Sequence, residues 1–192
     1  MKGSIFNLFE DFVVTSYGED VYEDLVDATT LETAGPFVGP GNYPPGDLLA
    51  LVGTACATFE VDVETLLRGF GRHAFPMLAA SVPTLMEGLD TPFEFLLALE
   101  TLIHTEVRKL DHDADPARFT VTRTSDDSLT LHYESPFGLF ALVEGMFDGI
   151  GDYFDTELHY ERVAVDGTNA TFTVRCVPIE SVTAGVHEPS VV

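Results

Sequence analysis

Bases are scarce in this chain. Only nine of its 192 residues are Lys or Arg, and only Lys2 and Lys109 among them are lysines. That shortage excludes nucleic-acid binding through phosphates, which requires a basic face. Cysteine is scarce too. Cys56 and Cys176 are too few for a disulfide framework and are not spaced as metal ligands, so both are expected to be small buried apolar residues. No apolar run reaches the length of a membrane span. The opening MKGSIFNLFEDF carries acids within its first turns and no small-residue cleavage site, so it does not read as a signal peptide. Also absent are a Gly-x-Ser-x-Gly elbow, a phosphate loop, a dinucleotide fingerprint and a catalytic cysteine context, and nothing argues for an enzyme. The expectation is a cytoplasmic protein with no membrane insertion.

What is present is acid and hydrophobe together. Asp and Glu number 32, for a formal net charge of -23, while 45% of the residues are hydrophobic. The apolar fraction excludes a disordered chain, and the length suffices for one domain with a real core. So acidic a surface repels itself at low salt. At about 1 M salt the Debye length falls to about 3 Å and the repulsion is largely screened. An acidic, lysine-poor, hydrophobic-cored chain is the composition a salt-loaded cytoplasm selects, and a halophilic source is expected.

The apolar spacing predicts helices first. Met1 to Tyr17 places Ile5, Leu8, Phe9, Phe12 and Val13 on one stripe, ended by Gly18. A short acidic helix comes next with Val21, Leu25 and Val26 inward, then the Gly/Pro-rich loop GPFVGPGNYPPGD. Asp47 is expected to cap the next helix, whose Leu48, Leu49, Leu51 and Val52 feed the core, and Asp62 to cap VETLLRGFGRHAF. Pro76 and Pro83 are expected to break or kink the chain beyond that helix. Thr91 and Pro92 open a long helix, TPFEFLLALETLIHTEVRKL.

After DHDADPA the period changes from helical to alternating. RFTVTR and SLTLHYE read as strands, GLFALVEGMFDGIGDYF as a helix, and TELHYERVAV and NATFTVRCV as two more strands. Helices followed by strand-strand-helix-strand-strand make an α+β domain with an antiparallel sheet covered by helices. The expected division is one domain over 1–177, with a helical half at about 1–115 and a sheet half at about 116–177. Residues 178–192 read as a frayed end or linker stub.

Isolated polar clusters carry little. The loop DHDADP (111–116) lacks the spacing and glycine of a calcium loop and reads as a solvated turn. His73, His132, His159 and His187 form no spaced metal set. Glu144 and Asp148 share a helical face, which says little in a chain this acidic. On spacing alone, His104 in its apolar helix reads as a hydrogen-bonded core histidine. Tyr133 and Ser135 fall on one face of a strand, as two polar residues or as a pair of hydroxyl donors.

Taken in order, MKG before an apolar helix, a YGED turn, LVG, LLRGFGRH, IHTEVRKL and LHYES resemble the haem nitric-oxide/oxygen-binding domain (H-NOX, HNOB), the sensor domain of soluble guanylate cyclase and its bacterial relatives. The resemblance covers about residues 1 to 177. It implies a haem b held between the helical half and the sheet half, an axial histidine on a long helix, and a Tyr-x-Ser-x-Arg motif on the propionates. His104 takes the position of the iron ligand, and neutral imidazole suits iron. Leu96, Leu97 and Val107 would supply a dry wall beside it.

Tyr133 and Ser135 match the first two motif positions. Phe137 stands where the family has arginine, removing a charge-assisted contact typically worth about 1.5–3 kcal/mol and placing apolar bulk there. Arg118 or Arg123 on the neighbouring strand is the candidate replacement. Ile5, Phe9, Ala74 or Phe75, and Leu142 resemble the lining of the gas pocket. Leu142 matches a tyrosine that donates to dioxygen in oxygen-binding members, so the resemblance implies nitric oxide and CO as ligands. It also implies a separate signalling partner such as a kinase, cyclase or chemotaxis transducer. The alternative is a haem-free or degenerate module on the same fold, which takes its support from Phe137.

Overall fold

The computed structural model describes residues 1–33, 35–100 and 117–177. Helix α1 spans Gly3–Tyr17 and closes where Gly18, at φ 109°, returns its N–H to the Val14 carbonyl. Helices α2 (Glu19–Ala28), α3 (Pro45–Phe59), α4 (Val63–Ser81) and α5 (Pro83–Met86) come next, and α6 begins at 92 and is described to 100. Strands β1 (Arg118–Arg123) and β2 (Ser128–Glu134), helix α7 (Phe140–Tyr153), and strands β3 (Glu157–Val165) and β4 (Asn169–Val177) complete the order. The fold class is α+β, as expected.

Two caps form where the sequence places them. The Asp62 carboxylate accepts the Thr65 N–H at 2.8 Å, satisfying one of the donors that every helix start leaves open. At α6 the Thr91 hydroxyl accepts the Glu94 N–H at 3.2 Å while the Glu94 carboxylate accepts the Thr91 N–H at 3.0 Å, a reciprocal capping box.

Other local expectations are corrected. Asp47 does not cap α3, which opens on Pro45; its carboxylate is 1% exposed and accepts the N–H groups of Glu32 at 2.7 Å and Thr33 at 3.1 Å. Leu49 faces solvent, and Tyr22 and Leu25 are the buried side chains of α2, with Val21 and Val26 half-buried. Pro76 does not end α4, which runs on to Ser81. Both cysteines are free and half-buried rather than fully buried, and burial pushes the Cys176 thiol up to about 11.

The sheet has the order β1-β2-β4-β3 and is antiparallel throughout. Alternation sends Leu129, Leu131, Tyr133, Ala170, Phe172 and Val174 to a buried face, where Phe147 of α7 meets Phe172 edge-on at 5.4 Å. The opposite face is polar: His132 Nδ1 and the Thr171 hydroxyl lie 2.8 Å apart there. Apolar side chains gather in two clusters. One joins α1–α4 and the start of α7, around Phe6, Phe9, Leu51 and Phe70; the other joins the sheet, α7, the end of α4 and α6, around Leu96, Leu131, Phe147 and Phe172.

Helices α4 and α7 connect the two clusters and lie almost backbone to backbone. A Cβ added at Gly145 would overlap the Arg68 carbonyl, one at Gly71 would overlap the Leu142 carbonyl, and one at Gly149 would come within 2.8 Å of the Arg72 carbonyl. Pro76 has no N–H to offer Arg72, so the carbonyl it leaves open in the α4 ladder is the one that faces Gly149. Beside this contact Arg68 and Arg72 each grip an acid of α7 through two nitrogens: Asp148 at 2.6 and 3.2 Å, and Asp152 at 2.6 and 2.9 Å.

Candidate functional site

Strand β2 runs into a tight connection before α7, and this end of the sheet holds the two hydroxyl residues singled out by the sequence. Tyr133 and Ser135 are both buried. The backbone fixes Ser135, whose N–H donates to the Thr168 carbonyl at 2.9 Å in the β3–β4 turn. The Ser135 hydroxyl accepts the Phe137 N–H at 3.3 Å. Burial pushes the Tyr133 phenol above its ordinary value, and a hydrogen bond with Ser135 opposes that rise. The two hydroxyl residues are thus neighbours at the end of β2, both sealed from solvent.

Phe137 does not fill the interior. Its ring is 37% exposed, so the apolar bulk expected at the third motif position stands partly in solvent. Neither candidate arginine reaches the hydroxyl pair. Phe119 is the residue opposite Tyr133, so Arg118, opposite Glu134, falls on the other face of the sheet. Arg123 stands opposite Leu129 at the far end of the hairpin. Arg162 is committed elsewhere: it holds Glu144 at 2.8 Å and approaches Glu64 at 3.8 Å, with its guanidinium 5.7 Å from the Phe140 ring centre.

The expected gas-pocket residues divide between the two clusters. Ile5 (half-buried), Phe9 (fully buried), Ala74 and Leu142 (half-buried) share the helical cluster. Phe75 belongs with Tyr133 and Leu96 in the sheet cluster. Helix α4 thus supplies a wall to each side through adjacent residues. His73 on the same helix lies 2.6 Å from Asp11 through Nε2 and Oδ2, tying α4 to α1. On α6, Leu96 is buried as expected, but Leu97 is 38% exposed and lines no dry wall. His104, Val107 and the 111–116 loop lie outside the described residues.

The residues present suit a ligand with an apolar body and a carboxylate edge. Tyr133 carries its hydroxyl into a low-dielectric setting beside Ser135, flanked by Phe119 at 5.2 Å and Phe140 at 6.0 Å between ring centres. Haem fits that donor set through neutral hydroxyls. Sequence reasoning missed the arrangement around Asp148, where Arg68 and the Tyr160 hydroxyl, at 2.7 Å, converge. It also missed Arg162 between Glu144 and Glu64. The i, i+4 acids were the available signal, but Asp148 finds its partners 80 residues away in Arg68 and 12 away in Tyr160, and Glu144 finds Arg162 18 away.

Among the described residues no helix is long and apolar enough to cross a membrane, and no group of His, Cys, Asp and Glu is placed to hold a metal ion. No curated protein matches the chain. Solved structures do. The Fe(II) unliganded H-NOX protein from K. algicida is 29% identical, with 92% of this chain and 97% of that one covered and a TM-score of 0.81. The H-NOX protein from S. oneidensis in the Fe(II)NO ligation state is 22% identical, with 92% and 99% covered and a TM-score of 0.84. An oxygen-binding H-NOX domain related to soluble guanylate cyclases superposes at 0.79 with 17% identity, over 92% of this chain and 95% of that one. The Haem-NO-binding family model (HNOB) matches residues 2–162, and with helices and sheet arranged as in those structures, this chain belongs to the H-NOX family of haem-based gas-sensing domains.

Proposed function

We propose that this chain is a gas sensor that binds nitric oxide, and CO, at a ferrous haem b ligated by His104, and that it signals to a separate protein such as a kinase, cyclase or chemotaxis transducer. The observation that carries the reading is the buried Ser135–Tyr133 pair at the end of β2, inside a chain whose family binds haem. Bound haem supplies an iron that takes the diatomic ligand. The protein's part is to hold and enclose it. Tyr133 donates to a propionate, Ser135 orients Tyr133, and Ile5, Phe9 and Leu142 exclude water from the gas side. Leucine has no hydroxyl, so Leu142 gives dioxygen no hydrogen bond, and this favours nitric oxide and CO.

The domain occupies residues 1–177, acts in the cytoplasm, and senses rather than catalyses. Arg68 and Arg72 join its helical and sheet halves through Asp148 and Asp152, so a change at the pocket has a direct route across the seam. A haem-free module on the same fold is the second reading. It is favoured by the register that turns Arg118 away from Tyr133.

The test is a hemin titration at high salt, followed by reduction and addition of nitric oxide. The expected result is a saturable Soret band in the wild type that is lost in His104→Ala. Free-hemin spectra from both proteins would reject haem sensing in favour of the haem-free module.

A further inference from the structure

Resting on the haem reading, we infer that ionic strength gates occupancy of this pocket: salt tightens cofactor binding instead of weakening it. Haem carries two carboxylates, and among the described residues the groups that would receive them at this end of the sheet are neutral. Tyr133 and Ser135 offer hydroxyls and Phe137 contributes no charge, while Arg118 lies on the opposite face, Arg123 at the far end of the hairpin, and Arg162 is paired with Glu144.

The surroundings are anionic. The chain carries a net charge of -23. Close to the motif, Ser135 bonds to Thr168 in the turn where Asp166 accepts the N–H groups of Thr168 at 3.0 Å and Asn169 at 2.8 Å. Those bonds hold the Asp166 carboxyl below its ordinary value, so it stays charged.

An ion-pair anchor loses strength as salt is added. A neutral anchor in a negative field gains, because screening removes the repulsion between the protein and the incoming dianion while the hydroxyl bonds are little affected. Between about 0.15 M and about 1 M salt the Debye length falls from about 8 Å to about 3 Å, which brings most of that repulsion into the screened range.

The experiment compares hemin with hemin dimethyl ester, which presents the same ring without the charges. Each is titrated into the full-length protein across that range of KCl, with far-UV circular dichroism confirming the fold at every point. The expected result is a Kd for hemin that falls about tenfold or more, an ester Kd that changes by less than about twofold, and a flattened hemin response in Phe137→Arg. Equal tightening of both porphyrins, or hemin binding that weakens with salt, overturns the inference while leaving haem binding intact. Absence of a saturable Soret band for either porphyrin at every salt overturns the haem reading and this inference with it.

Discussion

The Asp47 carboxylate, sealed from solvent at the start of α3, accepts the backbone N–H of Glu32 at 2.7 Å and so holds the preceding loop against the helical cluster. Asp47→Ala leaves that donor and the Thr33 N–H without their charged acceptor. The expected cost is about 2–3 kcal/mol in a denaturant melt, because bonds to a buried charge exceed neutral ones. Asp47→Asn keeps one acceptor oxygen and is expected to cost less than Asp47→Ala. Equal stability of Asp47→Ala and wild type would show that the loop holds without this tie.

Glycine on α7 leads to a second measurement. Gly145→Ala sets a methyl group into the Arg68 backbone, which has no rotamer by which to yield. The expected destabilisation is about 3 kcal/mol or more. Gly53 on α3 is the control: a Cβ there meets nothing within 4 Å. Gly53→Ala is expected to stabilise by about 0.5–1 kcal/mol through helix propensity. If the two variants melt together, the close approach of α4 and α7 is not sustained in solution.

The acid limb of the stability curve carries a contribution from the cap of α4. Backbone and hydroxyl bonds from Thr65 hold the Asp62 carboxyl below its ordinary value of 3.8. A group depressed in the fold contributes stability above its unfolded value and loses it as pH falls through the folded one. The gap in melting temperature between wild type and Asp62→Ala should therefore be full at neutral pH and close as pH drops below about 4. A gap that stays constant to lower pH would mean the cap acts without its charge.

Salt is expected to act on the fold as well. With 32 acids against nine bases, screening should raise the melting temperature by about 5 °C or more between about 0.1 M and about 1 M KCl. The exposed Arg72–Asp152 pair works in the other direction, but surface pairs are typically worth less than about 1 kcal/mol and do not offset the net repulsion. A melting temperature independent of salt would remove the case for a halophilic source.

Much of the fold is legible in the sequence because its signals are local. The stripe of Phe9, Phe12 and Val13, the caps at Asp62 and Thr91, and the alternation through Leu129, Leu131 and Tyr133 each sit within one element. Asp47 is easily misread because a cap and a loop anchor are the same residue type at a helix start, and the choice depends on a chain segment 14 and 15 residues earlier. Pro76 misleads for a related reason: the α4 carbonyl it leaves unpaired is set against Gly149, 77 positions away by number. At the candidate site the sequence places Tyr133 and Ser135 on one side of a strand, and both are buried there. Which arginines share that side is a matter of strand register, and composition does not encode register.

The α4–α7 seam also has an alignment built into it. Acids recur on α7 at Glu144, Asp148 and Asp152, once per turn, and Arg68 and Arg72 recur on α4 with the same spacing. By charge alone, the helices match in two positions: the observed one, and one displaced by four residues, about 6 Å, that pairs Arg68 with Glu144 and Arg72 with Asp148. Small residues break the tie. The displaced position brings Ala141 to the place Gly145 holds against the Arg68 carbonyl, and its methyl group has no room there. The charges offer a ladder with interchangeable rungs; the missing side chains act as the notch that selects one.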